Sequence, residues 1–366
     1  YHCLSRLEEL MTRTGLEMGS IRYVHSDISR QSLDHLKQHP QFRSFIASGL
    51  LDFSQFDPQK TLDGPYLEFS QIRLDGKTCN QPVLAFANYL FDSLVQDAFR
   101  VCEGKLESCL FSLWAQSDVS APDQITPEYD YRPVSQPYSD PILNRIAHGY
   151  AQTVRNGHFL MPLGAFNIIN NLTSLFPNGL LLLSADMSDN EPACFQDTPP
   201  PDWYAHGSIS MRVNQDAINR YVAVRQGEVI GDGRQTEHLS VNAALFGLNN
   251  HRLIHTRLAF ETAYIHIGPE DFYWIKKELE NALTDIDAQN ATALPDANVH
   301  GNLGVSALET SESNANFTSS DGPTEKTVES GGKAAATQVE VDDRTQEPLK
   351  KRDHDANFEE TPNEVV

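Results

Sequence analysis

Polar side chains that could bind a ligand follow three apolar stretches of this 366-residue chain. The first stretch leads to Asp27, the second to Asp52 and Phe53, and the third, Val-Leu-Ala-Phe-Ala from residue 83, to Asn88 and Asp92. In open α/β sheets, ligands bind at the carboxyl ends of parallel strands, where carboxylates hold the sugar hydroxyls of nucleotides. This pattern predicts Asp27 on a ribose, Asp52 and Phe53 near a purine, and Asn88 with Asp92 at the reacting centre.

Each of these residues also has an ordinary structural interpretation. An acid such as Asp27 before a helix stabilises its first turn by about 0.3 to 1 kcal/mol. Asp52 could be a turn residue, and Asn88 and Asp92 could cap the helix predicted after them.

Histidine and cysteine give no comparable pattern. The pairs His35/His39 and His251/His255 have helical spacing but no acid nearby to complete a metal shell, and we predict no metal site. His206 is either a general base or a loop histidine. The five cysteines contain no CxxC pair, which argues against a zinc site and a disulfide framework. GxSxG, Walker and HExxH motifs are also absent, which excludes the common hydrolase, nucleotide triphosphatase and zinc protease classes.

Charge and hydropathy exclude two further classes. The formal net charge of -22 argues against a nucleic-acid surface, since the basic cluster at residues 350–352 lies in an acidic tail. No apolar run reaches the roughly 18 residues of a membrane span. We therefore expect an intracellular protein, cytoplasmic or mitochondrial.

The order of elements predicts an α/β fold. Residues 83–87 are continuously apolar, which predicts a parallel strand buried on both faces. Leu90, Phe91, Leu94 and Ala98 then recur at helical spacing. Other strands are predicted at residues 21–24, 50–53, 180–186 and 239–248, with a hairpin around Glu103, helices between the strands, and irregular loops at 54–80 and 115–140.

The chain divides into two regions by composition. Residues 1–286 have the apolar content of one α/β domain, whereas residues 287–366 are dominated by Asn, Thr, Ser, Gly, Asp and Glu. A segment of that kind cannot offset an ordering entropy of about 1 to 2 kcal/mol per residue. We predict a disordered acidic tail.

The succession YVHSD, LLDFSQFD, VLAFANYLFDSL, hairpin and LLLLSAD resembles the class I S-adenosylmethionine-dependent methyltransferases. Within them it is similar to the MidA-like group, relatives of the mitochondrial arginine methyltransferase of complex I assembly. The resemblance implies a Rossmann-like sheet of seven strands with helices on both faces, and S-adenosyl-L-methionine as cofactor. It also implies Asp27 on the ribose, Asp52 and Phe53 near the adenine, and Asn88 near the methyl donor.

Two features depart from that family pattern. Tyr89 stands where the group usually has Glu, and the glycine-rich loop that cradles the methionine part of the cofactor is absent. The resemblance places the first strand and its glycines before Tyr1, and locates that strand between the strands at residues 21 and 83. We therefore expect a fragment that binds the cofactor weakly or not at all.

Three functions remain open at this point. The first is a methyltransferase that transfers the methyl group by direct displacement, with a protein side chain as acceptor. The alternative is a non-catalytic scaffold or interaction protein that keeps the methyltransferase fold. A nucleotide-sugar or dinucleotide enzyme is the third, although its own glycine fingerprint is equally absent.

Overall fold

The structure is a computed structural model. It describes residues 1–60, 63–115, 125–205, 209–231, 239–248, 253–266 and 268–292. All of them belong to one compact unit, Tyr1–Ala297. The predicted tail lies outside the described residues, except that its first residues continue a helix to Thr292.

Helices and strands alternate along this unit. The helices are α1 His2–Thr14, α2 Arg30–Gln38, α3 Arg43–Ala47, α4 Pro141–Thr153, α5 Leu163–Leu175, α6 Gln215–Val224, α7 Ile254–His266 and α8 Pro269–Thr292. The strands are β1 Tyr23–Asp27, β2 Leu51–Gln55, β3 Val83–Asn88, β4 Asp97–Cys102, β5 Lys105–Ala115, β6 Ile125–Pro133, β7 Gly157–Met161, β8 Leu180–Asp186, β9 Ser188–Asp189, β10 Tyr204–Ala205, β11 Ile209–Ser210, β12 Val213–Asn214, β13 Glu228–Ile230 and β14 Ser240–Phe246.

Three sheets position the site, and they confirm the predicted α/β class. β1 and β2 form a parallel pair, and β13-β14-β8-β3 form a four-stranded sheet in which β3 and β8 are parallel. The third sheet, β6-β5-β4-β7, is antiparallel throughout. No helix in the part of the chain described here has both the length and the apolar character to cross a membrane.

The four-stranded sheet has helices on both faces, as predicted. Alternate side chains of β8 point to opposite faces. Leu180 and Leu182 join the main core, which also contains Ile169 of α5. Leu181 and Leu183 face a smaller core against Phe260 of α7.

The parallel pair β1–β2 has its own apolar core with the first three helices. Leu4, Met11, Leu33 and Phe53 are buried together there. Local signals mark the ends of these helices: Gly15 adopts a left-handed conformation after α1, and the side chain of Ser29 accepts the Ser32 N–H at the start of α2.

Phe56 connects this layer to the rest of the unit. Its backbone N–H donates to the carbonyl of Asp27 at 3.1 Å, and its side chain belongs to the same core as Ala87 and Phe91. The carboxyl end of β1 is therefore tied to the core that carries the end of β3.

Two strand edges remain without a partner strand among the described residues. β1 pairs only with β2, and β3 only with β8. The prediction that β3 is buried on both faces is wrong, because Leu84 is 47% exposed and Phe86 is 56% exposed on one face. The pair β1–β2 and the sheet β13-β14-β8-β3 are separate sheets, and the resemblance puts a further strand between β1 and β3.

The predicted helix after Asn88 is also wrong. Only a 3-10 turn, Phe91–Ser93, follows β3, and the chain then enters β4. Phe99 and Val101, two residues apart, are buried and face the core, which is strand periodicity. The backbone of β4 pairs with both β5 and β7, and this pairing determines the local structure although the preceding leucines have helical spacing.

The antiparallel sheet β6-β5-β4-β7 was predicted only in part. The hairpin between β4 and β5 is confirmed, but residues 115–140, predicted to be irregular, contain the strand β6. Its prolines, Pro127 and Pro133, suggest a loop, yet proline is tolerated in a strand at the edge of a sheet, where β6 lies. Strands β7 and β13 were not predicted.

Candidate functional site

Two carboxyl groups meet at the carboxyl end of the four-stranded sheet. Asp186 is the last residue of β8, and Asp92 lies in the 3-10 turn after the adjacent parallel strand β3. The backbone N–H of Asp92 donates to Oδ1 of Asp186 over 3.5 Å. Asp186 is only 3% exposed and Asp92 is 9% exposed.

Asp186 is the more unusual of the two. Burial, and in addition the negative charge of Asp92, raise the pKa of its carboxyl to about 7, although the N–H groups of residues 90–92 act in the opposite direction. Its Oδ2 atom is buried and makes no hydrogen bond with any described residue. A carboxyl of this kind is partly protonated at neutral pH, which is common in functional sites.

Two tyrosines border the carboxyl pair. Tyr89 follows β3 with a φ of 49°, rare for a residue other than glycine, and its N–H donates to the carbonyl of Ala185 at 2.9 Å. Its half-exposed side chain is hydrogen-bonded to Tyr273 of α8. Burial, this hydrogen bond and the charges of Asp186 and Asp92 raise the pKa of Tyr89.

Asn88 does not join the carboxyl pair. It stands in register with Ala185, so alternation along the strands puts its side chain on the face opposite to Asp186. Asn88 is exposed, on the same face as Phe86. The structure thus brings Asp92 together with Asp186, a residue absent from the predicted site, and leaves Asn88 open to solvent.

Asp27 lies where the sequence predicts, at the carboxyl end of β1. Its Oδ1 atom accepts the backbone N–H of Ser29 at 2.7 Å, which is the local role considered as the alternative. Ribose binding by Asp27 stays a prediction.

Asp52 does not end its strand, contrary to the prediction. β2 continues to Gln55, and Asp52 pairs in register with Val24, three residues before Asp27. At about 3.3 Å per residue, Asp52 lies about 10 Å from the carboxyl end of the pair. Phe53 is fully buried beside the rings of His25 and Phe69.

The carboxylate of Asp52 anchors the following loop. Oδ1 accepts the N–H groups of Phe53 and Phe69 at 2.8 and 2.9 Å, and Oδ2 accepts the N–H and hydroxyl of Ser70 at 3.0 and 2.7 Å. Burial alone would raise the pKa of Asp52, but these hydrogen bonds together hold it below its usual value. Contact of Asp52 and Phe53 with an adenine stays a prediction.

Replacing Asp52 by alanine is expected to lower the free energy of unfolding by about 2 kcal/mol, because buried N–H groups lose their acceptor. Urea unfolding at pH 7 measures this. Ser70→Ala, which removes one of the four hydrogen bonds and leaves the carboxylate, should show a smaller loss. A D52A protein as stable as the parent would contradict the anchoring role.

The histidines in the described ranges are not part of the carboxyl site. His39 accepts the Gln41 N–H with Nδ1 at 3.4 Å, a local capping role, and His206 and His251 lie outside the described residues. Within the described ranges, no group of three or more His, Cys, Asp or Glu residues is arranged to hold a metal ion.

The described residues fit the cofactor implied by the resemblance only in part. Asp27 and the exposed Asn88 supply polar groups at the carboxyl ends of β1 and β3. No glycine follows directly after β1, β2 or β3 to form a backbone turn around the amino-acid part of such a ligand.

Comparison with known proteins gives matches only at the level of structure. No family model and no curated protein matches the chain. One similar crystal structure is a COG1565 superfamily member and candidate methyl transferase from Burkholderia thailandensis, bound to S-adenosyl-homocysteine. It has a TM-score of 0.41 and 11% identity over 66% of this chain and 67% of that one. An uncharacterized protein of the same superfamily and organism has a TM-score of 0.40 and 10% identity over 66% of this chain and 70% of that one.

Proposed function

We propose that this chain is the larger part of an S-adenosylmethionine-dependent methyltransferase whose sheet is completed by one further strand between β1 and β3. The strand order carries the proposal. The described strands include a parallel pair, β1–β2, and a four-stranded sheet that ends at β3. One strand inserted between β1 and β3 would join them into the seven-stranded sheet that the resemblance implies.

The two open edges support an inserted strand. An unpaired N–H or C=O group that stays buried costs about 1 to 3 kcal/mol, so the open edges of β1 and β3 are unfavourable unless solvent or another strand satisfies them. Leu84 and Phe86 of β3 are large apolar side chains left exposed. An added strand and the elements attached to it would cover them and would bring the backbone turn that the cofactor requires.

The resemblance defines the chemistry expected of the completed protein. The cofactor supplies an activated methyl group. The residues of this chain bind and orient the partners: Asp27 holds a ribose hydroxyl, Asn88 lies near the methyl donor, and Asp92 orients the acceptor, which we propose is a protein side chain. Catalysis then comes mainly from holding the reacting atoms close and in line.

A non-catalytic scaffold is the second candidate, and one observation favours it. Tyr89 occupies the position where the related group has Glu, and its side chain is hydrogen-bonded to Tyr273. A scaffold would keep the sheet and use its surfaces for binding alone.

Calorimetric titration with S-adenosyl-homocysteine tests the need for the added strand. The chain of residues 1–366 is expected to show no binding in the micromolar range, because the described residues lack the backbone turn for the amino-acid part of the ligand. Micromolar affinity would contradict the proposed role of the added strand.

A longer protein that carries an apolar strand and a glycine-rich turn before Tyr1 separates enzyme from scaffold. For the enzyme, saturating S-adenosyl-homocysteine should raise the melting temperature by several degrees, since a ligand at 100 times its Kd stabilises by about 2.7 kcal/mol. Asp27→Asn should reduce that shift. A longer protein that folds but shows no shift would favour the scaffold.

A further inference from the structure

We propose that Asp92 and Asp186 work as one carboxyl pair that takes up the proton leaving the group to be methylated. The inference rests on the proposed function and narrows its substrate class. Asp92 would contact the acceptor as a catalytic residue, and Asp186, which is more deeply buried, would act through Asp92 as a positioning residue.

Geometry is the first support for the pair. Adjacent parallel strands bring the end of β8 beside the turn after β3, and the N–H of Asp92 points to Oδ1 of Asp186. The other oxygen, Oδ2, is buried without a hydrogen-bond partner among the described residues. A buried carboxylate oxygen of that kind is unfavourable unless it carries a proton or meets a donor.

In the contacts described, no Lys or Arg side chain forms an ion pair with Asp92 or Asp186. Tyr89 beside β3 and Tyr273 on α8 contribute hydroxyl groups, and both carboxyls act electrostatically on Tyr89. Arg212, beyond the end of β8, is bound to the carboxylate of Asp189 and the carbonyl of Ser188. The negative charge of Asp92 therefore adds to the effect of burial and favours the protonated form of Asp186.

Of the two carboxyls, Asp92 is the one expected to contact the acceptor. Asp92 is held by two hydrogen bonds: its carbonyl accepts the N–H of Met211 at 3.0 Å, and its Oδ1 accepts the Ser93 hydroxyl at 2.9 Å. Asp92 is 9% exposed and Asp186 is 3% exposed, so a side chain that enters from solvent would meet Asp92 before Asp186.

The proton balance defines the substrate class. The acceptor atom uses its lone pair to form the bond to the methyl carbon, the carbon–sulfur bond breaks with its electrons remaining on sulfur, and the proton on the acceptor atom passes to the carboxyl pair. Such a pair is useful for an acceptor that carries a proton, an N–H or O–H group. It gives no advantage for a thioether or a tertiary amine.

Carbon-13 NMR of the aspartate carboxyls tests the pair without any cofactor. In the chain of residues 1–366, the Asp186 signal is expected to titrate with a midpoint near 7, and Asp92→Asn should lower that midpoint by about one unit or more. Asp130→Asn, at an exposed carboxyl of β6, is the matched control and should leave it unchanged. An Asp186 midpoint below 5, or one that Asp92→Asn does not move, would overturn the pairing.

Methylation by the longer protein tests the role in catalysis. With an amine-bearing acceptor peptide, Asp92→Asn should slow single-turnover methyl transfer by about 100-fold. Asp186→Asn should shift the midpoint of the pH–rate profile, and S-adenosyl-homocysteine should bind both variants as it binds the parent. Unchanged rates and profiles would overturn the proton role. If the parent itself failed to bind S-adenosyl-homocysteine, the proposed function would fall, and the NMR result would still decide whether the pair shares a proton.

Discussion

Asp186→Asn is expected to make the protein more stable than the parent at pH 8, by up to about 4 kcal/mol. The pKa of Asp186 is raised from 3.8 to about 7 in the folded protein. Between these values the folded state holds a proton that the unfolded state has released, so the stability of the parent falls as the pH rises from about 4 to about 7. Each unit corresponds to about 1.4 kcal/mol. Asparagine has the same shape and no charge, and avoids this penalty.

Urea unfolding of both proteins at pH 5, 6, 7 and 8 measures the effect. The difference between D186N and the parent should be about 1.6 kcal/mol at pH 5 and should grow to a plateau above pH 7. Asp130→Asn, an exposed change of the same kind, should give a difference that does not vary with pH. A D186N protein that is less stable than the parent at pH 8 would show that the Asp186 charge is satisfied in the folded protein.

An acid that lowers stability at neutral pH has a consequence for function. Selection removes such a residue readily if it serves packing alone, because one substitution relieves it. Buried titratable groups with raised pKa values are instead concentrated at functional sites. The position of Asp186 at the carboxyl end of a parallel strand agrees with that interpretation.

Local signals predicted much of the fold correctly. The apolar run of β8 and the pair Asp140-Pro141 at the start of α4 each specify their element within a few residues, since Asp140 accepts the N–H of Ile142 at 2.7 Å. Capping and continuous apolar runs act through neighbours in sequence, so they are visible without the rest of the chain.

Pairing between distant segments could not be predicted in the same way. Residues 90–98 have helical spacing of apolar side chains, but β4 forms because β5 and β7 supply partners on both of its edges. The exposure of Phe86 has a similar origin, since it depends on what lies beside β3. Neither the pairing of β4 nor the exposure of Phe86 can be inferred from the local sequence pattern.

The site shows both outcomes. Asp92 lies beside another acid, and its role in a site stays a prediction. Its partner Asp186 was left out of the predicted site, although the strand LLLLSAD ends in an acid as clearly as YVHSD does. Asp52 was chosen for the same kind of signal and lies within its strand, where its oxygens bind Phe69 and Ser70. An acid near the end of an apolar run indicates a site only when the strand ends there, and one residue of uncertainty changes the conclusion.

The second large effect is expected at Asn214, which joins three elements of the main core. Its Oδ1 accepts the N–H of Ala217 at 2.9 Å to cap α6, and also the hydroxyl of Tyr150 in α4 at 3.1 Å. Its Nδ2 donates to the carbonyl of Leu160 in β7 at 2.9 Å. Asn214 is buried, so water cannot replace these contacts without rearrangement.

Asn214→Ala is therefore expected to lower the free energy of unfolding by about 3 kcal/mol, from roughly 1 for the lost helix cap and 1 to 3 for the buried Leu160 carbonyl left without a donor. Tyr150 retains its hydrogen bond to Asp216 at 2.6 Å and should contribute little to the loss. Asn214→Ser keeps a capping oxygen but is too short to reach Leu160, so it should recover about 1 kcal/mol in urea unfolding. If the alanine and serine variants were equally stable, the cap would not contribute. If both matched the parent, the three contacts would not hold α4, α6 and β7 together.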